Sequence, residues 1–124
     1  MSNSLGEYLG IELLERKDWY ARVSMRVGPE HMNPLGATHG GAIFALADEA
    51  FALACNTDDV INVAAEINIH FYRATKPGDV LTAEASVINQ GSRLSSYNLV
   101  VKDAQDRLVA SGMGLACKLS KRPG

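Results

Sequence analysis

A glycine pair at a predicted helix start is followed, two turns later, by an acidic residue in an apolar stretch. Gly40 and Gly41 begin that stretch, and Asp48 lies among alanine, leucine and phenylalanine residues. The first N–H groups of a helix have no partner within it and can hold an oxygen that becomes negative. A carboxylate in apolar surroundings costs free energy unless it is paired or has a chemical role. The pattern is compatible with an oxyanion site at the glycine pair and with a chemical role for Asp48.

These residues also have a structural interpretation. Asp48 can pair with an arginine or lie at a contact between subunits, and the glycines can relieve packing where the helix begins. Glycine in the first turn of a helix costs roughly 1 kcal/mol relative to alanine, which favours a functional reason for the pair. Glu49 lies about 100° around the helix from Asp48 and faces another direction. Of the two carboxylates, Glu49 is the one expected to form a salt bridge with a cation.

The spacing of Gly40 and Asp48 limits how they can act together. Eight residues correspond to about 12 Å along a helix axis, and an aspartate side chain is too short to cover that distance. If both groups act on one carbonyl, they come from different subunits. A two-fold dimer with antiparallel helices brings each Gly40 beside the partner's Asp48 and creates two composite sites.

Several polar residues near the glycine pair are further candidates. Asn33 precedes Pro34, which holds it extended, so its amide can bond a carbonyl, position water or only close a turn. For His39 we favour a role at the helix start over direct catalysis. His31 and His70 are expected to be structural or peripheral. A serine-hydrolase triad is not expected, because the Gly-x-Ser-x-Gly pattern is absent.

The surrounding pattern predicts the elements that position these residues. The sequence at residues 4–7 has the spacing of a capping box, so a short helix is expected to run to about Gly10. The stretch from His39 to about Asn56 is too long and too rich in alanine for a strand and predicts one long helix. Alternation and turn residues predict six strands. These are residues 11–16, 19–27, 63–72, 81 to about 90, 97–101 and 108–119.

This order of elements predicts an α+β fold. A helix that is apolar on nearly all sides must be enclosed, so the antiparallel sheet is expected to curl around it. The last four strands are expected to form a meander, and the strand after the helix should face the core with alternate residues from Val63 to Phe71. One sheet cannot cover the whole helix, so part of the helix and the edge of the sheet should meet a second subunit.

Length and composition limit the classes of function. With 124 residues, the chain is expected to be a single domain over residues 1–124. A net charge of −2 gives no reason to expect nucleic acid as a partner. The apolar run at residues 40–47 falls short of the ~20 residues that cross a bilayer, and the N-terminus has no secretory signal pattern, so we expect a cytoplasmic protein without a membrane partner. Cys55 and Cys117 are expected to be free thiols, and no metal site is expected.

The segment from Asn33 to Asp48 resembles the hot-dog-fold thioesterases of the phenylacetic-acid-degradation, or PaaI-like, type. The shared pattern is Asn-Pro-x-Gly-x-x-His-Gly-Gly at residues 33–41, followed by Asp-x-Ala-x-Ala at residues 48–52. The similarity covers nearly the whole chain. It implies a curled antiparallel sheet around a central helix, dimers usually paired into tetramers, and hydrolysis of an acyl-CoA thioester. Coenzyme A is then part of the substrate, and no cofactor is implied.

The resemblance also implies roles for individual residues. Gly40 would offer the oxyanion N–H, Asp48 would be general base or nucleophile, and Asn33 would orient substrate or water. Some relatives carry a hydroxyl at the position of Ala64, so a water-binding group is missing here, for which Asn68 or Glu66 could compensate. Substrate contacts are expected at His39, Gly41, Ala64, Asn68, Gly91, Ser92 and Arg93.

The substrate phosphates and the function class leave alternatives open. Arg93 is the preferred phosphate contact, because it follows a glycine turn. The leading function is a thioesterase for aryl-acetyl-CoA or medium-chain acyl-CoA. A non-catalytic acyl-CoA-binding or regulatory protein is the alternative that Ala64 mildly favours. A hydratase is suggested by Asn33-Pro34-Leu35 but disfavoured because Gly36 stands where hydratases carry histidine. The other candidate cations are Arg73, Lys76, Lys121 and Arg122.

Overall fold

The computed structural model describes residues 4–121, and the predicted helices and strands are all present in it, with bounds that differ by a few residues. Arg122, one of the candidate cations, lies outside the described residues. The elements in chain order are α1 (Leu5–Leu9), β1 (Glu12–Lys17), β2 (Tyr20–Arg26), a 3-10 turn (Pro29–His31), α2 (Gly40–Ala54), β3 (Val60–Phe71), β4 (Val80–Gln90), β5 (Leu94–Lys102) and β6 (Leu108–Lys121).

Both ends of α1 are capped, as the sequence predicts. The Ser4 Oγ accepts from the Glu7 N–H at 3.1 Å, and the Glu7 carboxylate accepts from the Ser4 N–H at 3.3 Å. Gly10 ends the helix in the left-handed conformation (φ 78°), which glycine adopts without strain. A five-residue helix is marginal by itself, so these caps and its contacts with α2 hold it in place.

The long helix α2 begins at Gly40, one residue later than predicted, because His39 is its N-cap. The His39 Nδ1 accepts from the Gly41 N–H at 2.8 Å. At the other end, the Arg16 Nε donates to the Leu53 carbonyl at 3.0 Å and satisfies one of the last carbonyls of the helix. The face of α2 that packs on the sheet is buried and comprises Ala42, Ile43, Leu46, Ala47, Ala50, Phe51 and Ala54.

The sheet is antiparallel, with strand order β1-β2-β4-β5-β6-β3. The expected meander of the last four strands is therefore wrong for β3, which pairs with β6 and not with β4. The connection at residues 72–79 carries the chain from one flank of the sheet to the other. As a result α2 contacts β2 and β4 on one side and β3 on the other, and the sheet curls around the helix as predicted.

A β-bulge in β3 changes which of its side chains face α2. Ala64 pairs with Ala116, which is fully buried, and Glu66 pairs with the next residue of β6, so Ala65 is the extra residue. Opposite residues of an antiparallel pair share a face, which places Ala64 on the helix side. The expected core face is right for the second half of β3 but wrong at Val63 and Ala65, because one extra residue reverses the alternation.

The outer edge of β3 is the end of the sheet and pairs with no other described strand. Two large apolar residues of this strand, Val63 and Phe71, are 43% and 50% exposed. A long apolar edge of this kind invites pairing with another chain. Cys55 and Cys117 are free thiols, as expected. Neither described helix is long and apolar enough to cross a membrane.

Candidate active site

The loop before α2 is closed by the side chain of Asn33. Its Oδ1 accepts from the Leu35 N–H at 2.9 Å and from the Ala37 N–H at 3.1 Å, while Gly36 takes a positive φ of 83°. Because the oxygen atom is engaged in both bonds, the Nδ2 group is the free end of the amide. It makes no hydrogen bond with any residue in 4–121. Asn33 therefore closes the turn and keeps a donor available.

His31 connects this loop to α1. Its ring is buried, its Nδ1 accepts from the Gly28 N–H at 2.9 Å, and its Nε2 lies 2.8 Å from the Leu9 carbonyl. An accepting Nδ1 and a donating Nε2 describe a neutral imidazole. The His31 carbonyl in turn accepts from the His39 N–H at 2.7 Å. His31 thus fixes the start of α2 relative to α1, which confirms the structural role expected for it.

Gly40 lines an open cleft of about 390 Å³, which we call the amide cleft. Its N–H has no hydrogen-bond partner among the described residues, whereas Ala42 and Ile43 bond the His39 carbonyl. A Cβ at Gly40 would lie at an ordinary contact distance of 3.4 Å from the Phe71 ring. The cleft is lined by Asn33, Ala37, Thr38, Gly40, Ile43, Phe71, Tyr72, Arg73, Ala74 and Thr75.

Asp48 lies in a different cleft of about 280 Å³, which we call the acid cleft. The carboxylate is half-buried and forms no hydrogen bond or ion pair with any described residue, and burial raises its pKa. The lining is otherwise mostly apolar and comes from α1, α2 and the residue before β1. It consists of Leu5, Gly6, Leu9, Ile11, Gly41, Phe44, Ala45, Asp48, Glu49 and Ala52.

The salt bridge expected for Glu49 is absent from the described part of a single subunit. A side chain at Gly6 would lie 2.8 Å from the Glu49 Oε2, so this carboxylate packs over the backbone of α1. The prediction is wrong because tertiary packing brought a glycine, and not a cation, to Glu49. The acid cleft therefore carries two carboxylates and no cation among its lining residues.

Gly40 and Asp48 open into separate clefts of the same subunit. The helix between them is continuous, so the spacing of about 12 Å expected from eight helical residues holds. Asn33 and Gly40 lie in one cleft, and Gly41 shares the other with Asp48. His39 is exposed at the helix start, where its ring caps Gly41. The structure brings the donors together and keeps the acid apart.

The two β3 candidates lie on opposite faces of the sheet. Ala64 is exposed on the helix side, whereas Asn68 and Glu66 pair with Met113 and Leu115 and lie on the outer face. The Asn68 Oδ1 accepts from the Met113 N–H at 3.3 Å. Within one subunit, neither side chain can take the place of a hydroxyl at Ala64. A substrate contact at Asn68 stays a prediction.

The turn Gly91–Arg93 lies far from the amide cleft of its own subunit. The turn ends at Leu94, and both Leu94 and Val63 pair with Cys117 of β6, so the turn lies level with Val63. Phe71, which lines the cleft, is eight residues further along β3, or roughly 25 Å away. Ser92 and Arg93 are exposed. Within one subunit the turn does not reach the amide cleft, and its contact with substrate stays a prediction.

Arg73 is the candidate cation that lines the amide cleft. Lys76 lies in the turn before β4, where its Nζ pairs with the Asp79 carboxylate at 3.2 Å. For Lys121 the structure describes the backbone, which pairs with Val60 at the far end of β3. Of these candidate cations, Arg73 is thus the one that lines the same cleft as the unpaired Gly40 N–H.

Sequence reasoning missed two groups of lining residues. The first is Leu5, Gly6 and Leu9 of α1, whose contact with the Asp48 face of α2 leaves no trace in the local pattern. The second consists of the neighbours of the candidate Arg73, namely Phe71, Tyr72, Ala74 and Thr75. Thr75 forms a buried hydrogen bond of 2.6 Å with the Thr38 hydroxyl. A threonine after a strand gives no sequence signal for such a pairing.

Comparisons with known proteins agree with this architecture. Residues 35–110 match the thioesterase superfamily. The acyl-coenzyme A thioesterase PaaI of Escherichia coli K12 is 36% identical over 109 residues, which cover 88% of this chain and 78% of that protein. The structure of the E. coli PaaI protein from the phenylacetic acid degradation operon superimposes with a TM-score of 0.94 at 33% identity, over 98% of this chain and 88% of that one.

A second solved structure gives the same result. The TT0310 protein of Thermus thermophilus superimposes with a TM-score of 0.91 at 34% identity, and the match covers 96% of this chain and all of that one. The family match spans more than half of the chain. The chain therefore belongs to the thioesterase superfamily, as a PaaI-like thioester hydrolase with the hot-dog fold.

Proposed function

We propose that the protein hydrolyses the thioester bond of acyl-CoA, with aryl-acetyl or medium-chain acyl groups as its substrates. The observation that carries this proposal is the pair of unpaired groups on one helix, the Gly40 N–H and the Asp48 carboxylate, in separate clefts. Acyl transfer needs both kinds of group, a donor for the carbonyl oxygen and a base for water. The name of the E. coli relative, an acyl-coenzyme A thioesterase, supports the choice of substrate.

The two groups meet in a dimer. Antiparallel pairing of two β3 edges would place the two α2 helices antiparallel, so that the Gly40 N–H of one protomer meets the partner's Asp48. The same operation brings the partner's Arg93 toward the amide cleft. The exposed Val63 and Phe71 on β3 support such pairing, because it would remove them from water. A tetramer of two such dimers and a cytoplasmic location stay predictions.

The chemistry follows from the two groups. The thioester oxygen accepts from the Gly40 N–H, which the dipole of α2 reinforces as negative charge develops. As general base, the partner's Asp48 takes a proton from water while the water oxygen bonds the carbonyl carbon. The C–S bond then breaks, and the sulfur leaves as thiolate and takes up a proton. Alternatively, the carboxylate bonds the carbon directly, the C–S bond breaks with the sulfur leaving as thiolate, and water cleaves the resulting anhydride to the free acid and the Asp48 carboxylate.

A mixing experiment tests the composite site. Asp48→Asn removes the base. Gly40→Pro removes the N–H and keeps the helix, since proline suits the first helical position and His39 already has the extended conformation (φ −63°, ψ 133°) that precedes proline. Each variant alone should release little thiol from a panel of acyl-CoA thioesters. Refolded together from denaturant, they should recover about a quarter of wild-type activity, because half of the dimers are mixed and each of these has one intact site.

Two outcomes contradict the proposal. Mixed subunits that recover nothing, although each variant folds and assembles, would show that the site lies within one subunit. A wild-type protein that binds CoA but cleaves no thioester would favour the second candidate, a non-catalytic acyl-CoA-binding protein. Ala64 is the observation that favours that candidate, because the helix side of β3 offers no hydroxyl there.

A further inference from the structure

The acid cleft has an apolar wall that the chemistry itself does not require. Leu5 and Leu9 of α1 and Phe44 and Ala45 of α2 line it together with Asp48. Binding of an apolar group to this surface is favourable, because it removes both apolar surfaces from water. The surface offers no cation for a phosphate. We propose that α1 binds the acyl group of the substrate and limits its length, with Leu5 as the residue that sets the limit. This rests on the proposed thioesterase function and adds the part of the site that selects the acid.

The wall has a fixed position relative to the catalytic helix. The Leu9 carbonyl bonds the buried His31 ring at 2.8 Å, and the His31 carbonyl accepts from the N-cap of α2. Leu9 and Ile11 also pack against the core. A wall that is anchored through Leu9 and packs against the Glu49 carboxylate at Gly6 can discriminate between acyl lengths, because a longer chain cannot displace it without breaking these contacts.

The cleft is small and closed at one point. Its volume of about 280 Å³ lies just below the range of about 300–1,000 Å³ that is usual for ligand pockets. Gly6 approaches Glu49 so closely that an added Cβ would lie 2.8 Å from the carboxylate, so a chain cannot extend between the helices there. Leu5 is 65% exposed, and its side chain is free to contact an acyl group that enters. The geometry fits a short or aromatic acid better than a long fatty acid.

A ladder of acyl-CoA thioesters tests the role of Leu5. We would measure kcat/KM for acetyl-, butanoyl-, octanoyl- and phenylacetyl-CoA with the wild type, Leu5→Ala and Leu5→Trp. Leu5→Ala should raise the octanoyl-to-butanoyl ratio about tenfold, and Leu5→Trp should lower it, because a few methylene groups in an apolar pocket are worth about that factor. Acetyl-CoA should respond to neither change. Tyr8→Ala is the matched control, since Tyr8 is on α1, 75% exposed and outside the cleft lining.

Binding separates this proposal from the thioesterase proposal. S-alkyl-CoA thioethers of two, four and eight carbons cannot be hydrolysed, and calorimetry gives their Kd values. If the wild type cleaves no thioester but Leu5→Ala still changes how the thioether Kd depends on chain length, the thioesterase proposal fails and the acyl wall stands. If thioesters are cleaved and Leu5→Ala matches Tyr8→Ala in both assays, the acyl wall is overturned.

Discussion

The two clefts on α2 differ in the polar groups that they offer. The amide cleft has an unpaired backbone N–H, the Asn33 amide and the Arg73 guanidinium, which together favour negative charge. The acid cleft has two carboxylates among apolar side chains and disfavours it. A reaction in which one oxygen becomes negative while another loses a proton needs both environments within a few ångströms. One subunit holds them two turns apart, so under the proposed function each subunit carries two different halves of a site.

In a single subunit, each cleft also keeps a polar group without a hydrogen-bond partner among residues 4–121. The Gly40 N–H and the Asp48 carboxylate each lack a partner among the described residues. Unpaired polar groups cost free energy, and structures keep them mainly where a ligand or a second chain completes them. The experiments below alter one cleft at a time.

Removing the acid should have the largest effect. Asp48→Asn keeps the shape of the acid cleft but abolishes the base, so kcat should fall by about 10²–10⁴-fold, the usual contribution of general acid–base catalysis. The amide cleft is unchanged, so the Kd for a CoA thioether should stay within about threefold of the wild type. Steady-state thiol release and calorimetry measure the two values. An unchanged kcat would exclude Asp48 from the chemistry.

Removing the backbone donor should have the next largest effect. Gly40→Pro should lower kcat by about 10²–10³-fold, the loss measured elsewhere for one oxyanion donor. Gly40→Ala is the control, because it keeps the N–H and its Cβ would contact the Phe71 ring at an ordinary distance of 3.4 Å. The alanine variant should retain activity within a few-fold. Equal losses in both variants would point to steric blocking and not to a lost hydrogen bond.

Changing Asn33 separates its two roles in the amide cleft. Asn33→Asp keeps an oxygen for the Leu35 and Ala37 N–H groups but loses the free Nδ2 donor, so kcat/KM should fall about tenfold with little change in Tm. Asn33→Ala loses the turn as well, and its unfolding free energy should fall by about 1 kcal/mol. Full activity in Asn33→Asp would show that Asn33 closes the turn and that its Nδ2 donor has no role in catalysis.

The parts of the site that follow from local sequence were predictable. Helical periodicity and the capping box depend on residues a few positions apart, so the caps of α1, the extent of α2 and the spacing of Gly40 and Asp48 could be inferred before the structure. The separation of the two clefts is a consequence of that spacing. The resemblance of the Asn33–Asp48 segment added the fold class, which the match to the thioesterase superfamily confirms.

The parts that depend on distant residues were not predictable in the same way. The pairing of β3 with β6 and the bulge at Ala65 arise from how the sheet closes around α2, and alternation alone cannot reveal an extra residue. Contacts between α1 and α2 have the same origin, so the lining of the acid cleft by Leu5 was not foreseen. The Glu49 salt bridge failed for this reason too.

The smallest effect concerns pH and acts on activity and stability in opposite directions. Burial raises the pKa of Asp48 above its ordinary value of 3.8, so kcat/KM should fall on the acid side as the base becomes protonated below that raised value.

For stability, the protonated form is favoured in the folded state. The contribution of Asp48 to the unfolding free energy is thus full below pH 3.8 and is lost as the pH rises through the raised pKa. Urea denaturation of the wild type and Asp48→Asn across this pH range measures that contribution. A wild-type advantage that grows with pH would contradict a raised pKa and would show that a cation or the N-terminus of the partner's α2 stabilises the charged form of Asp48 in the assembled protein.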